Sequence, residues 1–285
     1  SHTVLDAAWE AGIRYFDAAR SYGRSEAFLS SWLNNRQIDP ASVTIGSKWG
    51  YTYTADWQIT LPEGQKHEVK EHSLPVLQRQ WRESNVLLGN QLNIYQIHSA
   101  TQDSGVLENA AVLAELARLR NAGTVVGLSV SGTSQADTLW RALEIEFDGK
   151  LLFGSVQATW NMLEQSATAV LRAAHDAGVG VIIKEALANG RLTPRNQSPD
   201  FQAKLTLLHK LAQANHTTVD ALALAAVLNQ SFVDVVLSGA ARTEHLHANL
   251  AAIHVPWQPD LADCVREMRE ETAVYWQIRS NLPWN

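Results

Sequence analysis

The chain has 285 residues, 46% of them apolar and 18% charged, with a formal net charge of −6. This composition suits a large, well-covered core and excludes a disordered chain, and the acidic balance gives no electrostatic reason to expect nucleic acid or an anionic membrane as a partner. No apolar run approaches the ~20 residues needed to cross a bilayer, and the single cysteine, Cys264, precludes an internal disulfide, so a reducing, cytoplasmic setting is expected.

The chain opens in a helical pattern (Val4, Leu5, Ala8, Trp9) that stops near Gly12. Short β-branched or aromatic runs then alternate with longer segments of helical period. The candidate strands are Ile13–Asp17, Val43–Lys48, Leu92–His98, Val125–Ser129, Ser155–Ala158, Val179–Lys184 and Val233–Leu237. Several are apolar almost throughout, as strands buried on both faces are. Between them, Leu107, Ala110, Ala111, Ala114 and Ala117 mark one helix face ahead of Gly123, and Ser166–Ala177 runs up to Gly178. Thr217 or Thr218 can cap the run that begins at Val219, Thr243–Ala252 follows the last strand, and a final helix is expected near Asp260–Tyr275.

Alternation of this kind predicts a parallel sheet with right-handed crossovers. A doubly wound dinucleotide fold would carry G-x-G-x-x-G after its first strand, and that motif is missing. The predicted fold is therefore an α/β, TIM (β/α)₈-type barrel spanning residues 1–285 as a single domain, with seven of its eight strands identifiable. The absent strand is expected to precede Ser1 in the natural protein, leaving a gap between the strands at Ile13–Asp17 and Val233–Leu237 and little turnover in the chain as it stands.

In such barrels the working residues sit at the C-terminal ends of the strands. The first three strand ends supply Asp17 with Tyr22 just beyond it, then Lys48, then His98. Their chemistry fits together. A phenol, with a pKa near ~10, becomes a useful acid when a neighbouring ammonium stabilises the phenolate, and a carboxylate keeps that ammonium charged in a dry cleft. A histidine beside them can hold a substrate oxygen. Each residue also has an ordinary reading: Asp17 as a turn cap, Tyr22 as a surface or packing residue, Lys48 as an ion-pair partner or a Schiff-base lysine, His98 as a hydrogen-bonded structural histidine.

The segment RYFDAARSYGRSE (Arg14–Glu26) resembles the aldo-keto reductase signature, with Asp and Tyr five apart ahead of Gly-x-Ser-Glu. Lys48 in GSKWG and His98 in YQIHS resemble the family's next two catalytic positions, in order and spacing. GLSVSG (Gly127–Gly132), Gln157 in VQATWN and LSGAARTEHLHANLAA (Leu237–Ala252) resemble its later cofactor-binding segments, so the similarity runs over nearly the whole chain.

The resemblance implies an NAD(P)H-dependent oxidoreductase that moves a hydride between NADP(H), or NAD(H), and a small carbonyl or alcohol. Tyr22 would be the proton donor, Lys48 and Asp17 would tune it, and His98 would orient the substrate oxygen. It further implies that Ser129 and Gln157 hold the nicotinamide carboxamide, and that Gly239, Arg242, His245 and Asn249 surround the 2′-phosphate and adenine. Four positions depart from the pattern: Val130 replaces Asn, Lys184 a stacking Tyr, Ala241 a basic residue and Ala248 a Glu. Arg242 is the one Arg or Lys of the late segment, and NADP preference rests on it. Lys184 with Glu185 reads equally as a buried ion pair or a cofactor contact.

The long stretch Trp49–His67 holds Trp49, Tyr51, Tyr53 and Trp57. With Trp160, the residues Trp49, Tyr51 and Trp57 are expected to wall a substrate pocket; the alternative is a loop packed on itself. His245 and His247 stand two apart on a helix, which does not suit a metal pair, and no metal site is expected. Competing functions are a cofactor-binding regulatory or structural subunit of the same fold, and a lyase acting through Lys48.

Overall fold

A computed structural model describes residues 2–54 and 67–282. In chain order the elements are α1 (His2–Glu10), β1 (Tyr15–Asp17), α2 (Ser25–Asn35), β2 (Thr44–Trp49), β3 (Tyr51–Tyr53), β4 (Glu68–Lys70), α3 (Leu74–Leu88), β5 (Leu92–Ile97), α4 (Ala110–Asn121), β6 (Val125–Ser129) and α5 (Gln135–Leu143). They continue with β7 (Glu146–Phe147), β8 (Lys150–Leu151), β9 (Ser155–Thr159), α6 (Thr168–Asp176), β10 (Gly180–Lys184), α7 (Gln202–Ala214), α8 (Val219–Leu228), β11 (Val235–Val236), α9 (Thr243–Leu250), α10 (Pro259–Glu267) and α11 (Thr272–Ser280). All seven expected parallel strands are present, and helices separate them, so the class is α/β.

Two compact units account for the chain, residues 12–131 with 137–156, and residues 1–11 with 132–136 and 157–285; their boundary falls inside β9. In the first unit the parallel strands run β1-β2-β5-β6. Asp17 pairs with Gly46, Lys48 with Gln96, and Ile97 with Leu128, so β1, β2, β5 and β6 finish along one edge. This register places Asp17, Lys48, His98 and Ser129 at neighbouring strand ends. Ile45, Tyr95, Ile97, Val126 and Leu128 are fully buried along these strands, which accounts for their unbroken apolar letters.

The expected helix at Leu107 is displaced. A short 3₁₀ turn takes Val106–Glu108, the Asn109 side chain caps α4 by accepting from Val112 N, and the helix buries Val112, Leu113, Leu116 and Ala117. Ala110, Ala111 and Ala114 face solvent instead, because burying the larger Val and Leu side chains removes more apolar area from water. The stretch after β2 is not wholly a loop: β3 pairs antiparallel with β4, Tyr51 opposite Lys70.

In the second unit β10 pairs with β11, Ile183 beside Val236. The Thr218 hydroxyl caps α8 by accepting from Ala221 N, and α8 is buried over nearly its whole length. The single expected final helix is two helices, α10 and α11, separated at residues 268–271.

Candidate active site

The cluster forms within the first unit. Lys48, 1% exposed, donates from Nζ to Asp17 Oδ2 and, at 2.9 Å, to the Ala18 carbonyl. The same Nζ lies 5.1 Å from the Tyr22 ring centroid. Tyr22 is 51% exposed, so its phenol is open to a solute while the ammonium behind it is not. The Tyr22 hydroxyl lies 3.5 Å from His98 Nε2, and the Ser21 hydroxyl 3.4 Å from His98 Nδ1. With Nδ1 accepting from Ser21, Nε2 carries the proton and acts as a donor beside the phenol. An oxygen within hydrogen-bond reach of both Tyr22 and His98 has a donor on each side.

Further side chains hold these four. The buried Tyr15 hydroxyl donates to Asp17 Oδ1 at 3.2 Å; burial, then the Asp17 charge, pushes this phenol far above its usual range, so it stays a donor. Asp17 thus receives a hydrogen bond on each oxygen. His98 is located through its backbone: its N–H donates to the Trp49 carbonyl at 2.8 Å, and its carbonyl lies 3.0 Å from His72 Nε2. The His72 ring occupies the space a side chain at position 50 would need, since a Cβ there would lie 2.2 Å from it, and Gly50 has φ +110°. Burial, and then the charge of Lys70, lowers the pKa of His72 to about 4. Its ring is therefore neutral at ordinary pH and donates from Nε2. The Ser129 hydroxyl accepts from Ser99 N at 2.9 Å, at the end of β6.

Behind the strands lies a buried charge network. Glu26, 2% exposed, accepts from Ser47 and Ser84 hydroxyls at 2.6 Å each and pairs with Arg20, which also reaches Glu83 at 2.7 Å. Glu26 ends the signature-like segment, and this network accounts for its identity there.

Of the aromatics expected to wall the pocket, Tyr51 has its ring centroid 4.9 Å from that of His98. Trp49 is fully buried with its ring against His72, and Trp160 is 2% exposed, its Nε1 donating to Thr168 Oγ1 at 2.8 Å. Both pack in the interior. Trp57 lies outside the described residues.

Among the residues expected to meet a cofactor, Gly239, His245 and Asn249 line a cavity of about 600 Å³ within the second unit. That volume lies in the range of small-molecule sites. Asn249 donates to Ser238 O and Oγ at 3.1 and 2.8 Å, fastening the turn, and Gly239, at φ +63° with open space beside it, leaves its backbone approachable. The turn leads into α9 (Thr243–Leu250). Arg242 is exposed at the start of α9 and is not among the lining residues, whereas Arg191 and Arg195 are. Gln157 is buried, and Lys184 donates to Thr159 Oγ1 at 2.8 Å and lies 3.8 Å from Glu185. Glu185 also pairs with Arg279 of α11 at 2.9 Å.

Tyr15, Ser21, His72 and Arg195 went unnoticed in the sequence. A lone His before a Ser-Leu-Pro helix start carries no signal, since only folding brings it to the His98 carbonyl. Tyr15 stands two residues before Asp17 on the same face of β1, and the period of a strand could have found it.

The fold and this set of strand-end groups define an α/β oxidoreductase of the barrel class. The sequence model of the aldo/keto reductase family matches residues 1–270, and the chain belongs to that family, whose members use nicotinamide cofactors. It is 27% identical to a D-threo-aldose 1-dehydrogenase of a Pseudomonas species, over 89% of this chain and 83% of that one. An NADH-specific methylglyoxal reductase of Escherichia coli is 25% identical, over 94% and 86%. Among solved structures, an aldo-keto reductase of Bacillus halodurans in its holo form superposes with a TM-score of 0.72 at 19% identity, covering 98% of this chain and 89% of that one. A glycerol dehydrogenase of Gluconobacter oxydans does so with a TM-score of 0.72 at 20% identity, over 93% and 83%. Among the described residues no helix is long and apolar enough to cross a membrane, and none of their His, Cys, Asp and Glu side chains form a metal-binding group.

Proposed function

We propose that the protein reduces a small aldehyde, ketone or sugar, or oxidises the corresponding alcohol, with NADP(H) as cofactor and Tyr22 as the proton donor. The observation that carries this reading is the joint placement of Asp17, Lys48, Tyr22 and His98, with the phenol exposed and the ammonium buried behind it. When bound, the dinucleotide supplies or takes the hydride. His98 donates from Nε2 to the substrate oxygen and orients it. Tyr22 gives its proton to that oxygen as negative charge builds there, and the ammonium of Lys48, paired with Asp17, stabilises the charge left on the phenol oxygen. In the oxidative direction Tyr22 takes the proton back. Tyr51, with its ring against His98, is proposed as one wall for the substrate.

Gly239, His245, Asn249 and Arg242 are proposed to receive the adenosine half, with Arg242 favouring a 2′-phosphate. Ser129, Gln157 and Lys184 are proposed to serve the nicotinamide. The lone, buried Cys264 is in keeping with work in a reducing compartment such as the cytoplasm.

The test is spectrophotometric: NADPH oxidation over a panel of small aldehydes, ketones and aldoses, repeated with NADH, and NADP⁺ reduction with the matching alcohols. Turnover with at least one substrate is expected. Tight dinucleotide binding with no turnover on any substrate would favour the regulatory-subunit reading instead.

A further inference from the structure

Beside the four strand-end groups, the same face of the sheet in the first unit carries a polar layer. The register shows which residues share that face: Asp17 pairs with Gly46, Lys48 with Gln96, and Gln96 with Gly127. Tyr15 joins them, two residues before Asp17 on β1. In α/β barrels branched apolar side chains dominate such layers. Here β1, β5 and β9 supply Tyr15, Gln96 and Ser155, with glycine on β2 and β6 between them. A Cβ at Gly46 would lie 2.5 Å from the Tyr15 hydroxyl, and one at Gly127 would lie 2.1 Å from the Ser155 hydroxyl. The two glycines thus leave the room that these hydroxyls fill. Gln96 and Ser155 are 0% and 2% exposed, and among the described residues neither the Gln96 amide nor the Ser155 hydroxyl has a hydrogen-bond partner. Polar groups buried in this way cost free energy that an apolar layer would not, which calls for a return in function.

Tyr15 connects the layer to the catalytic groups. Its hydroxyl lies over Gly46 and donates to Asp17 Oδ1 at 3.2 Å, while Lys48 Nζ donates to the other oxygen, Oδ2. Gln96 is close enough to act on the Tyr15 phenol, and it acts as a donor does: burial and the Asp17 charge raise the pKa of this phenol, and Gln96 lowers it. An amide N–H directed at the Tyr15 oxygen leaves the proton of that hydroxyl for Asp17. The Asp17 charge is therefore divided between a phenol and an ammonium. A carboxylate stabilised by one donor is less basic and draws less on the other.

We infer that Tyr15, oriented by Gln96, is a positioning residue for the proton-transfer step: it takes up part of the Asp17 charge and leaves more of the Lys48 field on the Tyr22 phenol. The inference rests on the reading of Tyr22 as the proton donor. The other ionisable groups around this chain of contacts are His98, whose Nε2 lies 3.5 Å from the Tyr22 hydroxyl, and Tyr51, whose ring packs on His98. Beyond them, Glu68 faces Ser21, and Lys70 lies over the Tyr51 ring. Tyr15 is set apart from these by its direct bond to Asp17.

The test reads the phenol itself and needs no turnover. Ultraviolet difference titration of the ligand-free protein follows phenolate formation, and the Tyr22 step is the one that disappears in Tyr22→Phe. Tyr15→Phe keeps the ring over Gly46 and deletes only the hydroxyl. In that variant the Tyr22 step is expected to move to higher pH, its ionisation constant falling by about three- to tenfold. Gln96→Leu should move it in the same direction by less. During carbonyl reduction the high-pH limb of kcat, where Tyr22 loses its proton, should shift upward with it. A Tyr22 step that stays in place or moves down in Tyr15→Phe would overturn the inference, whatever that variant loses in stability or kcat. In that case loss of turnover in Tyr22→Phe would still support Tyr22 as the donor. Near-normal turnover in Tyr22→Phe would overturn the donor reading and the inference together.

Discussion

At the scale of single residues, the site divides its labour by exposure. Tyr22 meets solvent while Lys48 and Asp17 lie behind it, so the proposed proton donor is accessible and its electrostatic support is not diluted by water. Tyr22→Phe removes the proton and leaves the cavity lined by Gly239, His245 and Asn249 untouched. It is expected to lower kcat by about 10²–10⁴-fold with dinucleotide affinity retained; steady-state kinetics beside fluorescence titration check this, and a near-normal kcat would mean the proton comes from another group. Gly50 shows the same economy in the backbone. A Cβ there would strike the His72 ring at a φ of +110° that L side chains rarely adopt. Gly50→Ala is expected to displace His72 and with it the His98 carbonyl, raising KM for the carbonyl substrate more than it lowers dinucleotide affinity.

At the scale of elements, α2, β2 and α3 are joined by one carboxylate. Glu26 on α2 accepts from Ser47 on β2 and Ser84 on α3, and is neutralised by Arg20. Removing one partner of a buried pair strands the others, at a cost of ~3–5 kcal/mol. Glu26→Ala is expected to lose stability of that order in urea unfolding, whereas Thr218→Ala, which deletes only the cap of α8, should lose about 1 kcal/mol. Comparable losses for the two variants would show that the Glu26 network contributes no more than a helix cap. Element ends were the least legible feature of the sequence. The start of α4 moved from Leu107 to Ala110 because Asn109 offers a cap, and its buried face followed the Val and Leu positions rather than the alanines. One expected C-terminal helix became two.

At the scale of the molecule, the buried neutral His72 links stability to pH. Its pKa falls from an ordinary 6.5 to about 4 on folding, so below pH 6.5 the unfolded chain binds the additional proton and the folded state loses stability until about pH 4. Near pH 5 the loss amounts to about 2 kcal/mol. His72→Gln, which keeps an amide donor and does not titrate, is expected to flatten that part of the profile in urea midpoints measured from pH 7 to 5; an unchanged slope would assign the acid sensitivity to other groups. The sequence alone determined the α/β class, the seven parallel strands and the family, because strand and helix periods and residues close to a strand end are local properties of the chain. It also named Asp17, Tyr22, Lys48 and His98, which stand at or just beyond strand ends. Only the tertiary structure decided which aromatic faces His98, that Trp49 and Trp160 are packed inside, that His72 supports the His98 carbonyl, and that Gln96 lies beside Tyr15. Those contacts join residues far apart in the chain, and close packing of side chains, which no local pattern encodes, selects them.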